Sequence, residues 1–282
     1  MIPIPLVIWN EYKAKTYPAR INEPSEAMDD IEQIRSYVKA YEWGGPSSAL
    51  QLHHLRELST MIRPGDTVLD LACGPGPLLL ELAELYPECK FIGADLSSNM
   101  LSFLEKEANR RGLKNVSILL EDIRTLPSLE QTKVDLVITT SALHHVPTEE
   151  GLRQVFHRMR SLLHSGGGFY IFDFGLLKSA KTREIMVKEV ARLAPPITVQ
   201  DYDLSLQAAY PIKVVVDLAN RELPKPFTVK ACSIADFFYF IQTATRGEAS
   251  NHARAYITRR WKELPLALKI EHKMLRLFQK KL

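Results

Sequence analysis

Short apolar runs alternate with helix-length amphipathic segments through the middle of this 282-residue chain. Mainly apolar runs of four or five residues predict buried strands at 67–71, 91–94, 117–120, 134–138 and 168–172. Between them, apolar residues recur every three or four positions, which predicts helices at 78–85, 97–111 and 150–163. Strands that alternate with helices of this length favour right-handed crossovers and a parallel sheet with helices on both faces. The sequence therefore predicts an α/β fold with a doubly wound, mostly parallel sheet.

The segments on either side of this pattern predict further helices and two more strands. The predicted elements before it are an irregular lead at 1–24, a helix at 25–41 capped by Ser25, and a helix at 47–61 capped by Ser47. The predicted elements after it are a helix near 178–193 that stops at Pro195-Pro196, a helix at 212–223, an antiparallel pair of strands at 227–232 and 237–243, and a helical tail at 249–282 interrupted near Pro265. The sheet is thus expected to have seven strands, with the last one antiparallel.

A glycine turn follows the first predicted strand and leads directly into a helix. Gly74 and Gly76 have no Cβ, so the turn can be tight and a ligand can lie against bare backbone. The second strand ends in Asp95, at the strand tip where a nucleotide-binding sheet places a carboxylate for two ribose hydroxyls. The turn lacks the third glycine of a dinucleotide fingerprint and the lysine of a phosphate-binding loop. The predicted ligand therefore carries ribose but no pyrophosphate.

In these motifs, over roughly residues 60–175, the chain resembles the class I S-adenosylmethionine (SAM) dependent methyltransferases. As in that family, an acidic residue, Asp70, precedes the glycines. The resemblance implies a Rossmann-like core, SAM as the cofactor, and a methyltransferase activity. It also implies that Asp122 accepts from the adenine amino group and that the amide of Ile123 reads the ring edge. The cofactor-binding residues that it implies are Asp70, Ala72, Cys73, Gly74, Gly76, Asp95, Leu96, Met100, Asp122, Ile123 and Ser141.

The same resemblance assigns roles to the added segments. We expect a helical cap at 1–60, a core at 61–248 with a lid insertion at about 174–211, and a basic helical extension at 249–282. Alternatives remain for single residues: Asp95 could cap the following helix, and Cys73 could be only a small packing residue, since methyl transfer needs no enzyme thiol.

Two adjacent histidines, His144 and His145, follow the fourth predicted strand and are the candidate catalytic residues. A neutral imidazole is a suitable base for a hydroxyl, thiol or amine acceptor. Consecutive residues that leave a strand point to opposite sides, so only one of the two is expected to face the pocket. The alternative is that His144 packs on the methionine part of SAM and fixes the loop. No metal site is expected, because a His-His pair without a carboxylate cluster lacks the ligand geometry.

The sequence says less about the methyl acceptor, because in-line displacement mainly requires that the acceptor be oriented in a water-poor pocket. Candidate acceptor contacts are Tyr37, Tyr41, Trp43, His144, Asp173, Tyr202, Ser205 and Gln207. The fourth strand is not followed by the Asn/Asp-Pro-Pro-Tyr/Phe or Pro-Cys motifs that DNA-base methyltransferases use, so no DNA partner is expected. The architecture resembles that of quinone-biosynthesis-like methyltransferases, which implies a small-molecule acceptor, methylated at an O, N, S or C atom.

Composition changes this picture in two places. Three cysteines without paired spacing indicate a reduced, cytoplasmic setting, and the apolar first residues are too short and proline-broken for a signal peptide or anchor. The net charge of +3 does not indicate a nucleic acid partner. Residues 246–282, however, hold ten Lys/Arg and three Glu, a net charge of +7, which leaves −4 on the rest of the chain. We expect a packed terminal helix with a solvated basic side. The alternatives are that this tail binds an anionic membrane surface, RNA or an acidic partner. The corresponding functions would be those of a non-catalytic SAM-binding scaffold or of a protein/RNA methyltransferase.

Overall fold

Eight strands form one sheet in the computed structural model, which describes residues 2–282. In chain order they are β1 (Thr67–Leu71), β2 (Lys90–Asp95), β3 (Val116–Leu120), β4 (Val134–Thr140), β5 (Leu163–Phe174), β6 (Phe227–Cys232), β7 (Phe238–Thr243) and β8 (Gln279–Lys281). Their spatial order is β3-β2-β1-β4-β5-β7-β6-β8. Strands β1 to β5 pair in parallel, and β7 runs antiparallel to both β5 and β6. The predicted α/β fold is confirmed, and the short strand β8, paired with β6, adds to the seven expected strands.

Helices cover both faces of the sheet and extend beyond its carboxyl edge. Within residues 2–282 the α-helices are α1 (Ile4–Lys13), α2 (Ile31–Ala40), α3 (Ser48–Leu58), α4 (Pro77–Leu85), α5 (Ser98–Arg110), α6 (Glu149–Leu162), α7 (Ala180–Val190), α8 (Pro196–Ala208), α9 (Ile212–Glu222), α10 (Asn251–Glu263) and α11 (Leu266–Leu277). A short 3₁₀ turn, Leu143–His145, follows β4.

Apolar side chains pack on both faces of β1, as the alternation of side chains along a strand requires. Val68 packs into one core cluster with Leu55 of α3 and Leu79 of α4. Its neighbour Leu69 packs into the opposite cluster with Phe156 of α6. Because β1 lies between β2 and β4, the strand order reverses there, and open α/β sheets bind ligands in the crevice beyond the carboxyl ends of such strands.

Two expectations about the first helices were wrong, one at prolines and one at a cap. The lead is helical over Ile4–Lys13, since Pro3 and Pro5 lie at the start of the helix, where a missing N–H costs nothing. Helix α2 is capped by Asp30, whose carboxylate accepts from two backbone amides at 2.9 Å each, and not by Ser25. The predicted stop before Pro195-Pro196 is confirmed, since α7 ends at Val190, and the insertion holds a further helix, α8, that begins at Pro196 and was not predicted.

The basic tail packs on the domain, as expected. Ile257 of α10 and Leu268 of α11 are buried in the same cluster as Val68. The guanidinium of Arg260 pairs with the buried Glu81 of α4 at 2.6 Å and lies 4.5 Å above the ring of Trp43. No helix within residues 2–282 is long and apolar enough to cross a membrane.

Candidate active site

The turn after β1 exposes backbone at the reversal of strand order. Gly74 and Gly76 have φ angles of +55° and +68°, in the left-handed region that favours glycine. A Cβ on Gly76 would lie 2.7 Å from the Leu104 side chain, so only glycine fits there. A Cβ on Gly74 would find its nearest neighbour, the Met100 sulfur, at 3.9 Å. The outer side of Gly74 is thus open to a ligand.

Asp95 ties this turn to the next strand tip. Its Oδ2 accepts from the Gly74 amide and its Oδ1 from the Ser97 amide, both at 2.8 Å. The capping alternative is wrong, because helix α5 is capped by Ser97, whose hydroxyl accepts from the Met100 amide, and Asp95 instead uses one lone pair of each oxygen to hold the turn and the Ser97 amide. Each carboxylate oxygen has a second lone pair, so two hydroxyl donors can still bind. The arrangement fits a ribose held against the Gly74 backbone.

Asp70 is buried at the end of β1, and its carboxylate accepts no hydrogen bond from residues 2–282. Burial, and then the charge of Asp95, raise the pKa of its carboxyl well above the ordinary value. A buried carboxylate without a donor is costly, so the site suits a ligand that brings a cationic or donor group. The α-ammonium and sulfonium groups of SAM meet that requirement, and the residues of the turn therefore fit this cofactor.

Helix α2 carries Tyr37 within reach of the charges of Asp70 and Asp95, and Tyr41 follows as the C-cap of the helix. The rings of Tyr37 and Tyr41 stack with centroids 4.6 Å apart. Burial raises the pKa of the Tyr37 hydroxyl, and the charges of Tyr41, Asp70 and Asp95 raise it further. Tyr37 and Tyr41 were expected to contact the acceptor, and that role stays a prediction.

The adenine side is less simple than the sequence implied. Both carboxylate oxygens of Asp122 accept from the guanidinium of Arg124, at 2.8 and 2.9 Å. Burial alone would raise the pKa of Asp122, but Arg124 more than offsets it and holds the pKa low. Leu96, just after β2, is 40% exposed. Ile123, which directly follows Asp122, is buried. The adenine contacts of Asp122, Leu96 and Ile123 stay predictions.

Asp173, at the end of β5, orders the loop after β4. Its Oδ1 lies 2.7 Å from Nδ1 of His144, and its Oδ2 accepts from the amides of Ala142 and His144 at 3.2 and 3.1 Å. Ser141, just before them, has a φ of +53°, a conformation that costs a non-glycine residue energy and needs such support. With its proton on Nδ1, the His144 ring keeps its lone pair on Nε2, the nitrogen that faces away from Asp173.

Sequence reasoning missed Glu23, which faces both histidines. Its carboxylate lies 3.6 Å from His144 Nε2 and 3.3 Å from His145 Nδ1, and it accepts from the Ser205 hydroxyl at 2.9 Å. Arg20 anchors this part of the lead: its guanidinium donates to the carbonyls of His144, Val146, Pro147 and Ala208 at 2.5–2.8 Å. No local sequence pattern around Glu23 indicates its contact with His144, because the two residues are 121 positions apart in the chain.

Both imidazoles approach Glu23, contrary to the expectation that only one would face the pocket. Their ring centroids are 4.4 Å apart. The strand ends at Thr140 and His144 and His145 lie in a 3₁₀ turn, so the alternation of a strand does not apply. No metal site was expected, because no carboxylate cluster accompanies the two histidines in the sequence. In the structure the carboxylates of Glu23 and Asp173 lie beside His144.

The two histidines have opposite electrostatic environments. Burial alone would lower the pKa of His144, but the charges of Asp173 and Glu23 raise it above the ordinary value. Burial, and then the charge of His144, lower the pKa of His145 to about 3. Burial raises the pKa of Glu23, and His144 partly offsets that.

The remaining candidates divide into those near the cluster and those away from it. Ser205 contacts Glu23, and Tyr202 packs edge-on against Phe174, which follows Asp173, at 5.7 Å. Trp43 instead packs beneath Arg260. The Gln207 amide donates to Asp203 of its own helix at 3.0 Å. Cys73 is buried, and burial raises the pKa of its thiol, as expected for a packing residue.

Comparison with known proteins places these features in a family. Residues 62–210, more than half of the chain, match the family described as a methyltransferase domain. The probable (S)-tetrahydroprotoberberine N-methyltransferase 2 of Papaver bracteatum is 31% identical over 94 residues, which cover 33% of this chain and 26% of that protein. The (S)-tetrahydroprotoberberine N-methyltransferase of Eschscholzia californica is 31% identical over 110 residues, 39% of this chain and 29% of that protein. The matches thus span less than a third of these curated relatives.

Solved structures share the fold at low sequence identity. The plantazolicin methyltransferase BpumL in complex with SAH superposes with a TM-score of 0.58 over 92% of this chain and 90% of that one, at 12% identity. A SAM dependent methyltransferase from Aquifex aeolicus superposes with a TM-score of 0.53 over 76% of this chain and 98% of that one, at 18% identity. The glycine turn, the sheet order and the matched family agree: the chain belongs to the class I SAM-dependent methyltransferases.

Proposed function

We propose that this protein transfers the methyl group of SAM to a heteroatom of a small-molecule acceptor. The observation that carries the proposal is the joint position of two groups of residues at the carboxyl edge of the sheet. One is the cofactor cradle of Asp70, Gly74 and Asp95, and the other is the ionisable cluster around His144 and Glu23. The first group suits a ribose and a cation, and the second suits an acceptor atom that must lose a proton.

SAM, when bound, would supply an activated methyl group, which a lone pair of the acceptor takes in line as the thioether of the demethylated cofactor leaves. The protein's own contribution is orientation and proton handling. We assign the cofactor's ribose to Asp95 and its cationic end to Asp70. Asp173 fixes the ring of His144, and Nε2 of that ring, beside Glu23, receives the proton of the acceptor. The carboxylates on either side stabilise the imidazolium that results.

The proposed acceptor site is bounded by segments outside the sheet. Helix α2, the lead around Glu23 and helix α8 meet over the edge: the Gln33 amide donates to Asp201 at 2.8 Å, and the Ser36 and Thr198 hydroxyls lie 2.5 Å apart. An enclosure of this kind favours a small molecule over a polymer. The alkaloid N-methyltransferases among the relatives support a small-molecule acceptor, with nitrogen as one candidate atom.

Transfer of an isotopically labelled methyl group from SAM into a fractionated metabolite pool tests this proposal. We expect label in a small-molecule fraction with the wild-type chain and, at SAM concentrations below the wild-type dissociation constant, at least about tenfold less label with Asp95→Ala. The His157→Gln variant, which alters an exposed histidine paired with Glu222, is the matched control and should retain transfer. SAM binding without any transfer would contradict the proposal and favour the non-catalytic alternative.

A further inference from the structure

We propose that Glu23, His144 and His145 bind a divalent transition-metal ion, with Zn²⁺ as the ion that fits best. One ligand atom from each residue lies within 4.8 Å of the others. Neither the local sequence nor the related proteins' names indicate such a site. The inference concerns the acceptor side of the proposed active site, but metal binding itself requires no methyl transfer.

Two of the three separations between ligand atoms are close to those of a metal site, and all three lie within 4.8 Å. Two bonds of about 2.0–2.1 Å at a tetrahedral angle set their ligand atoms about 3.4 Å apart. Glu23 Oε1 lies 3.6 Å from His144 Nε2, and Glu23 Oε2 lies 3.3 Å from His145 Nδ1. Two histidines and one glutamate are also a known ligand set of catalytic zinc sites, in which a fourth position stays open.

Outer contacts hold the ligand atoms in place, as in established metal sites. Asp173 accepts from Nδ1 of His144 at 2.7 Å, which presents the lone pair of Nε2 towards Glu23. The Ser205 hydroxyl donates to Glu23 at 2.9 Å, and Arg20 fixes the loop by donating to the His144 carbonyl at 2.6 Å.

A second observation concerns the His145 ligand atom itself. Nδ1 of His145 is buried and has no hydrogen-bond partner within residues 2–282. Buried polar atoms are normally paired, and the Glu23 carboxylate that an ion would share lies 3.3 Å away. The His145 side chain as a whole is 23% exposed and that of Glu23 12%, so the cluster lies near the protein surface.

The charges and ligand types favour a transition metal over Mg²⁺ or Ca²⁺. Two carboxylates, Glu23 and Asp173, outnumber the single guanidinium of Arg20 at the site. Imidazole nitrogens suit zinc and its neighbours, whereas Mg²⁺ and Ca²⁺ prefer oxygen ligands throughout. With an ion bound, His144 would act on the acceptor through the ion, and direct proton acceptance would belong to the ion-free protein.

Calorimetric titration of chelator-treated full-length protein with Zn²⁺ alone tests the inference. We expect one ion per chain, at least tenfold weaker binding for Glu23→Gln and for His145→Ala, and no displacement by excess Mg²⁺. Asp173→Asn should weaken binding by about 10–100-fold through the orientation of His144. His157→Ala should bind as the wild type does, because its His–Glu pair, 3.4 Å apart, lacks a second imidazole.

Thermal unfolding of each variant shows that it is folded before it is titrated. The inference is overturned if the folded wild type binds no Zn²⁺ above the level of a buffer control. It is also overturned if His145→Ala and Glu23→Gln bind as tightly as His157→Ala. Since neither SAM nor an acceptor is present, loss of this inference leaves the proposed methyl transfer untouched, and failure of methyl transfer leaves the metal result standing.

Discussion

Asp173 Oδ1 and His144 Nδ1 lie 2.7 Å apart, between two side chains almost fully excluded from solvent. This contact fixes both the tautomer and the direction of the imidazole. It joins the ends of β5 and β4, 29 positions apart in the chain, and it directs Nε2 towards Glu23. The proton-handling part of the proposed function depends on this contact.

Replacing His144 by Gln should lower the turnover rate about 10²–10⁴-fold, since glutamine keeps a polar side chain but accepts no proton at neutral pH. SAM affinity should stay within about twofold, because His144 lies outside the Asp70–Asp95 cradle. Single-turnover methyl transfer and calorimetry measure the two quantities separately. A folded variant with near-normal turnover would show that orientation alone accounts for catalysis.

SAM affinity should fall as the pH is lowered. Burial raises the pKa of both Asp70 and Asp95, and both must be ionised to receive a cation and two hydroxyl donors. Because these pKa values lie above the ordinary carboxyl range, protons compete with SAM at mildly acidic pH. Calorimetric dissociation constants between about pH 8 and about pH 5 check this expectation.

The same shifts predict how the stability of the ligand-free protein depends on pH. A carboxyl whose pKa is higher in the folded than in the unfolded state stabilises the fold below its unfolded pKa, and that contribution is lost as the pH rises through the folded pKa. Asp70→Asn should therefore flatten both the stability profile and the affinity profile. Profiles identical to those of the wild type would show that Asp70 is not the titrating group.

The cap and the lid should close over the cofactor. Helices α2 and α8 already contact each other through Gln33 and Asp201, and the cap's Tyr37 lies close to Asp70. Hydrogen exchange should slow at 25–48 and 176–210 when SAM or its demethylated product is added, and change less in β1 and β4, which are already protected. Slowing confined to 70–76 and 95 would mean an open pocket and a wrong lid assignment.

The parts of the site that the sequence predicted are those set by local chain geometry. The turn at Gly74 and Gly76 and the strand tip at Asp95 follow from apolar runs and glycine spacing, and the structure has all three where they were expected. Glu23 reaches His144 only because Arg20 hydrogen-bonds to carbonyls more than 120 positions away. No periodicity encodes such a contact.

Two other differences have equally specific causes. His145 faces Glu23 because the chain enters a 3₁₀ turn after Thr140, a change of direction that strand alternation does not predict. Asp122 is held by Arg124, a local ion pair that the family pattern did not include. The quinone-biosynthesis resemblance, the three-part division of the chain and the cytoplasmic setting stay predictions from the sequence.

The most direct test of the account is the affinity of SAM for the wild-type chain and for Asp95→Ala. Each hydrogen bond from a ribose hydroxyl to this carboxylate is expected to contribute about 1.5–3 kcal/mol, and about 1.4 kcal/mol is a factor of ten in affinity. Calorimetry should therefore show SAM binding to the wild type and at least tenfold weaker binding to a folded Asp95→Ala. Equal affinity in the two folded proteins would contradict the assignment of the cofactor to this edge of the sheet.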